Sequence, residues 1–261
     1  WDAPFVSVKP LAELDQTDDD YGPARFNDER KIYFIARRGQ GAGPELWTAS
    51  RGDRLQPFGE ASSLNLLQPL GASAFTLSPD ELTIYLYNHG LLQTAARESP
   101  DEPFGVAQAL VLPQPLLQPD LPRESGSGRF YVSADVFDRR AGIYQLAELG
   151  ALATPTLVLD GPASGAYSPV VSQDELTMYF ASATEREDSC MTWLVWQVWV
   201  ATRVSVTEPF TIHGLAPSLA SRYDAVPSAL SNDGCRLYYS RPTKRGDTDL
   251  YVADKARPVC T

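Results

Sequence analysis

Ser78-Pro79-Asp80-Glu81-Leu82-Thr83-Ile84-Tyr85-Leu86 is a turn followed by a strand, and it recurs along the chain. The turn half returns as Asn27-Asp28-Glu29, Ser172-Gln173-Asp174-Glu175 and Ser231-Asn232-Asp233-Gly234, with Ser125-Gly126-Ser127-Gly128 as a degraded copy. The strand half returns around a central tyrosine as Ile32-Tyr33-Phe34, Phe130-Tyr131-Val132, Met178-Tyr179-Phe180 and Leu237-Tyr238-Tyr239. Serine, asparagine, aspartate, proline and glycine pre-set turn dihedrals or bond their own backbone, so each copy is a hairpin joining two strands. Turn chemistry alone accounts for the repeated aspartates.

Downstream of each hairpin a further strand recurs, as Glu45-Leu46-Trp47-Thr48-Ala49-Ser50-Arg51, Leu91 to Arg97, Gly142 to Ala147, Gln197 to Arg203 and Asp249 to Lys255. Past the closing arginine, copies one, two and four place Pro57-Phe58, Pro103-Phe104 and Pro209-Phe210, and proline suits the start of an outer edge strand where no partner needs its N–H. Each unit therefore reads as four strands, a to d, repeating roughly every 50 residues with no helical period, which is the signature of propeller blades. The expected fold is an all-β, five-bladed β-propeller with four antiparallel strands per blade. The expected blades span 15–70, 71–114, 115–160, 161–216 and 217–261. Asp2-Ala3-Pro4-Phe5 matches a Pro-Phe turn, so residues 1–14 should supply the outer strand of the last blade; starting at Trp1 inside that turn reads as a processed or trimmed beginning.

At 261 residues the chain is long enough to bury a large core. No run of eighteen apolar residues exists, which argues against membrane insertion. Thirty-three acids against twenty-two bases give a net charge of −11, which repels phosphate backbones and argues against nucleic acid as a partner. Two histidines and three cysteines offer little for a zinc site or a Cys/His nucleophile.

Ser78 to Tyr85, Ser231 to Tyr238 and Asp249-Leu250-Tyr251-Val252-Ala253 resemble the bacterial TolB-type repeat, also called the WD40-like or PD40 repeat, over nearly the whole chain. The resemblance implies an exported binding platform, periplasmic, secreted or at the cell surface. The third copy lacks the motif and five blades differ from the six of TolB, so TolB's own partners do not carry over.

In a propeller the segments leading into strand a gather around the channel mouth with the b–c loops. Here they read Asp18-Asp19-Asp20-Tyr21-Gly22-Pro23, Ala166-Tyr167-Ser168-Pro169 and Arg222-Tyr223-Asp224. Asp19, Asp20, Tyr21, Tyr167, Tyr223 and Asp224 would offer aromatic faces and hydrogen-bond acceptors to a glycan, a cationic peptide or a protein. The bland alternative is a solvated acidic turn from Asp15 to Asp20 and tyrosines packed between blades. The stretch from Ala183 to Trp196 reads either as an anchor patch carrying Cys190, Met191, Trp193 and Trp196, or as strand c running long with its tryptophans buried. His89 reads as a turn residue rather than a base. The leading expectation is a recognition scaffold without covalent chemistry or cofactor. The alternative is a five-bladed glycoside hydrolase using Asp20, Asp120 or Asp224. Against it, blade four brings Gly165-Ala166-Tyr167-Ser168 to the channel and no Asn-Asp-Pro-Asn-Gly-like motif lies near the N-terminus. A calcium or sodium ion held in the channel by carboxylates and carbonyls is compatible with this composition. Finally, Cys235 opens strand b of blade five and Cys260 follows its strand c; antiparallel neighbours bring both to one edge, so a Cys235–Cys260 disulfide is expected, against a reading of three free thiols.

Overall fold

In the computed structural model, residues 4–14, 20–24, 29–36, 45–64, 74–88, 91–136, 139–187, 192–216, 218–220, 223–242 and 248–256 are described; Asp15, Asp18, Asp19, Asp28, His89, Cys190, Met191, Arg222 and Cys260 lie outside them, as do the side chains of Asp20 and Tyr21. Chain order begins with β1 (Phe5–Pro10). Blade one follows as β2 (Asp20–Ala24), β3 (Lys31–Ala36), β4 (Glu45–Ser50) and β5 (Ser62–Ser63). Blade two is β6 (Ala74–Leu77), β7 (Thr83–Asn88), β8 (Leu91–Ala96) and β9 (Gln108–Ala109), and blade three is β10 (Arg123–Glu124), β11 (Phe130–Val136), β12 (Arg139–Leu146) and β13 (Thr156–Leu159). Blade four is β14 (Tyr167–Val171), β15 (Thr177–Glu187), β16 (Thr192–Thr202) and β17 (Thr211–Leu215). Blade five is β18 (Val226–Leu230), β19 (Arg236–Pro242) and β20 (Thr248–Lys255), completed by β1 on the free edge of β20. The fold is thus the five-bladed propeller expected, closed by the N-terminal strand.

Five apolar clusters fill the five gaps between blades, because each blade alternates its side chains between two neighbours. Leu11 and Leu14 pack with Phe34 and Tyr238 where the chain ends meet, and Phe5 packs with Tyr179 and Val198 one gap earlier.

The repeated turns carry more than turn chemistry. In each of the five, one residue adopts a left-handed backbone: Glu29, Glu81, Gly128, Glu175 and Gly234, with φ from 59° to 83°. Glycine takes this conformation without strain; a glutamate there needs a compensating interaction. The Tyr33 hydroxyl of blade one donates to Glu81 of blade two at 2.8 Å, Tyr131 of blade three to Glu175 of blade four at 2.9 Å, and Tyr238 of blade five to Glu29 of blade one at 2.7 Å. At each glutamate an arginine from the end of strand c, Arg97, Arg203 or Arg51, donates Nε to the glutamate's carbonyl oxygen and a terminal N–H to the same tyrosine. The guanidinium also lies over Phe104, Phe210 or Phe58 at 4.2–4.4 Å, which explains the recurring Pro-Phe pair. Three of the five interfaces are therefore clasped by a Tyr–Glu–Arg–Phe set. In blades three and five glycine replaces the glutamate, and at the interface of blades four and five Lys255 lies over Phe5 and Tyr179 instead.

Cys235 is disulfide-bonded. Its carbonyl accepts from Lys255 N–H at 2.9 Å, so the end of β20 lies beside it.

Candidate active site

Three innermost strands, β2, β14 and β18, carry prolines, Pro23, Pro169 and Pro227, and each has a register shift at or beside that proline. A proline cannot donate to the ladder, so the strand bulges, and a bulge re-aims the residues next to it toward the mouth.

Asp120 lies between blades three and four, half-buried; its Oδ1 accepts from Leu121 N–H at 2.8 Å and its Oδ2 from the Ser168 hydroxyl at 3.2 Å. Ser168 itself has φ 49°, a strained value for a non-glycine residue. The neighbouring Tyr167 ring meets Trp196 edge-on at 5.2 Å. Trp196 N–H donates to Asp224 Oδ1 at 2.8 Å, and Gln197 Nε2 donates to the Tyr223 carbonyl at 2.9 Å. A continuous strip, Asp120–Ser168–Tyr167–Trp196–Asp224, therefore runs across blades three, four and five. Asp20 opens β2 of blade one with its backbone opposite Ala36. An aspartate thus opens β2 in blade one, and Asp120 and Asp224 lie just ahead of β10 and β18 in blades three and five, blades five and one being neighbours in the ring. Deeper down, Arg123 donates to the Ser228 carbonyl across the channel, and beside it Thr76, Glu124, Val170 and Leu230 line a cavity of only about 40 Å³.

Asp80, Asp174 and Asp233 sit at the other ends of the strands, where each caps its own turn by accepting from the backbone N–H two residues on. Hydrogen bonds from Ser78 and Leu82 hold the Asp80 carboxyl below the usual range, as those from Ser172 and Leu176 do for Asp174.

In the stretch from Ala183 to Trp196 the structure shows the long strand c, while Cys190 and Met191 of the anchor-patch reading lie outside the described residues. β15 and β16 stay paired in register from Thr177↔Thr202 to Glu187↔Thr192, so strand c does run long, as one arm of a hairpin. Trp196 is half-buried against Tyr167, whereas near the hairpin tip Trp193 is 38% and Leu194 61% exposed. Among the described residues no three of His, Cys, Asp and Glu converge as metal ligands would. No helix among them is long and apolar enough to cross a membrane. The sequence carries no motif for Ser168, which bonds Asp120, or for Gln197, which bonds the carbonyl of Tyr223 beside Asp224.

No family model matches the sequence, and no curated protein matches it. Among solved structures, the chain is similar to the catalytic domain of a GH62 α-L-arabinofuranosidase from Coprinopsis cinerea, at 14% identity and TM-score 0.57 over 99% of both chains. It is also similar to a putative exo-β-1,3-galactanase from Bifidobacterium bifidum, at 14% identity and TM-score 0.56 over 88% of this chain and 85% of that one. A family 117 glycoside hydrolase from Zobellia galactanivorans matches at 10% identity and TM-score 0.54 over 97% and 90%. These matches correct two expectations. The resemblance to the TolB-type PD40 repeat does not hold, because the matched structures are five-bladed enzymes; the Ser-x-Asp-Glu and Tyr pattern that carried it serves turn and interblade packing. The expectation of a recognition scaffold without covalent chemistry is overturned by the same finding, which favours the enzymatic alternative. At these identities the likeness establishes the architecture, and the chain is a five-bladed propeller of the kind on which glycoside hydrolases are built.

Proposed function

We propose that this protein hydrolyses a glycosidic bond at the channel mouth with Asp20, Asp120 and Asp224. The observation that carries this reading is the aspartate that blades one, three and five each bring to, or just ahead of, the innermost strand. The fold shared with glycoside hydrolases supports it. Hydrolysis needs one carboxyl to protonate the departing oxygen and a second to activate water or attack the sugar, with a separation that decides inversion or retention. Asp224 keeps one oxygen on Trp196 N–H, which orients the other, and Tyr167 and Trp196 offer the aromatic faces on which a sugar ring packs. These steps call on side chains alone. The test is release of reducing sugar from arabinans, galactans and other pooled polysaccharides. Steady turnover supports the reading, and none on any of them contradicts it.

Cys235 pairs with Cys260 in this reading, because the end of β20 lies beside Cys235. A disulfide that clamps the closing blade fits an oxidising compartment and hence an exported protein. Thiol titration of denatured, unreduced protein should find one free thiol, at Cys190. Two or more free thiols, or Cys260 among them, would exclude the pairing.

A further inference from the structure

Beside Asp224, in the gap between blades four and five, lies a cleft of about 330 Å³ lined by Val8, Ser218, Leu219, Tyr223, Tyr239 and Arg241. Arg241 occupies the upper end of β19 and is half-buried. Its guanidinium lies over the Tyr223 ring at 5.4 Å and the Tyr251 ring at 5.6 Å, and it lines the same cleft as Tyr239. Arg51, Arg97, Arg203 and Arg236 each meet a glutamate, but Arg241 meets no carboxylate within 4.0 Å among the described residues. Its cross-strand neighbour Asp249 is no exception. In a chain of net charge −11 this is a half-buried cation with no carboxylate partner among the described residues.

We infer that this cleft binds the carboxylate of an acidic sugar, so that the substrate class is a uronate-containing glycan. The two tyrosine rings flank the guanidinium without supplying a charge to pair with it, and its planar fork of N–H donors suits a bidentate partner, which a carboxylate is. Burial pushes the Tyr239 hydroxyl up to about 12, against the opposing effect of Arg241, so at neutral pH it stays a donor beside the same anion. Tyr223, adjacent in sequence to Asp224, offers its ring to the sugar. The inference rests on the hydrolase reading only for its placement at a substrate-binding mouth.

Binding, measured apart from turnover, tests it. Oligomers of galacturonate and of glucuronate are compared by calorimetry with the matching neutral oligomers and with a sulfated galactan oligomer. The acidic sugars should bind at least tenfold more tightly than the neutral ones, and added salt should erode the difference. Arg241→Gln should abolish the preference, Arg241→Lys should restore only part of it, and both should keep the wild-type melting temperature to within a few degrees. Equal binding of acidic and neutral sugars, no binding of either, or a preference that survives Arg241→Gln overturns the inference. Sulfated oligomers binding as tightly as the uronates overturn the carboxylate assignment. Tight uronate binding without hydrolysis leaves the inference standing and counts against the hydrolase reading; turnover without acid preference does the reverse.

Discussion

Alanine at Glu175 should lower the melting temperature by about 10 °C. The carboxylate is 1% exposed and accepts from Ser125, Ser127, Tyr131 and Arg129, with Arg203 at 3.5 Å. Removing it strands a buried guanidinium and a buried phenol, and breaking a buried pair from one side costs about 3–5 kcal/mol. For a domain of this size each kcal/mol corresponds to about 2–4 °C. Glycine at the same place should recover about 1 kcal/mol of the loss, because φ is 59° and an L side chain is strained there. An alanine variant that melts with the wild type, or a glycine variant less stable than alanine, would refute the clasp. Burial works to raise the Glu175 carboxyl, yet the hydrogen bonds from Ser125, Ser127, Tyr131 and Arg129 outweigh it and leave it below its ordinary value of 4.5. A lowered carboxyl contributes stability that is complete above its unfolded pKa and lost as pH falls through the folded one. Wild-type stability should therefore decline below about pH 4.5, and less steeply in Glu175→Ala.

Deletion of residues 1–14 should leave a protein that aggregates or melts far below the full chain. β1 covers β20 from Phe5↔Lys255 to Pro10↔Tyr251, and without it β20 presents an unpaired edge. The deletion also removes Phe5, Leu11 and Leu14, each buried between blades, and burial of each side chain is worth about 1.5–3 kcal/mol. Calorimetry and size-exclusion chromatography check this; an unchanged melting temperature and a monodisperse truncated protein would show that the ring does not depend on its N-terminal closure.

The blades are legible in the sequence because each repeats the same local solution, a polar turn before a tyrosine-centred strand, and turn chemistry acts within a few residues. The clasp is less so, although its signal is present: Glu29, Glu81 and Glu175 occur in the same three copies that end strand c in Arg51, Arg97 and Arg203 and continue to Pro-Phe. Reading those columns together links them; reading the Asp-Glu pairs as turn residues does not. The mouth is harder still. Asp120 precedes a strand of only two residues, β10, and its partner Ser168 belongs to the next blade, so their meeting depends on ring geometry that no local pattern encodes. Arg241 stands out only when the ion pairs of the other arginines are known.

The most direct check on the catalytic reading is a turnover measurement on the best glycan from the hydrolysis screen, using wild type, Asp20→Asn, Asp120→Asn and Asp224→Asn. Asparagine keeps the shape of aspartate, and at Asp120 and Asp224 the bond from a backbone N–H, while removing the charge and the proton transfer. Loss of a general acid or base lowers turnover by about 10²–10⁴-fold. At least two of the three variants should show that loss in kcat with melting temperatures within a few degrees of wild type. Full activity in all three variants would contradict catalysis by the mouth carboxylates.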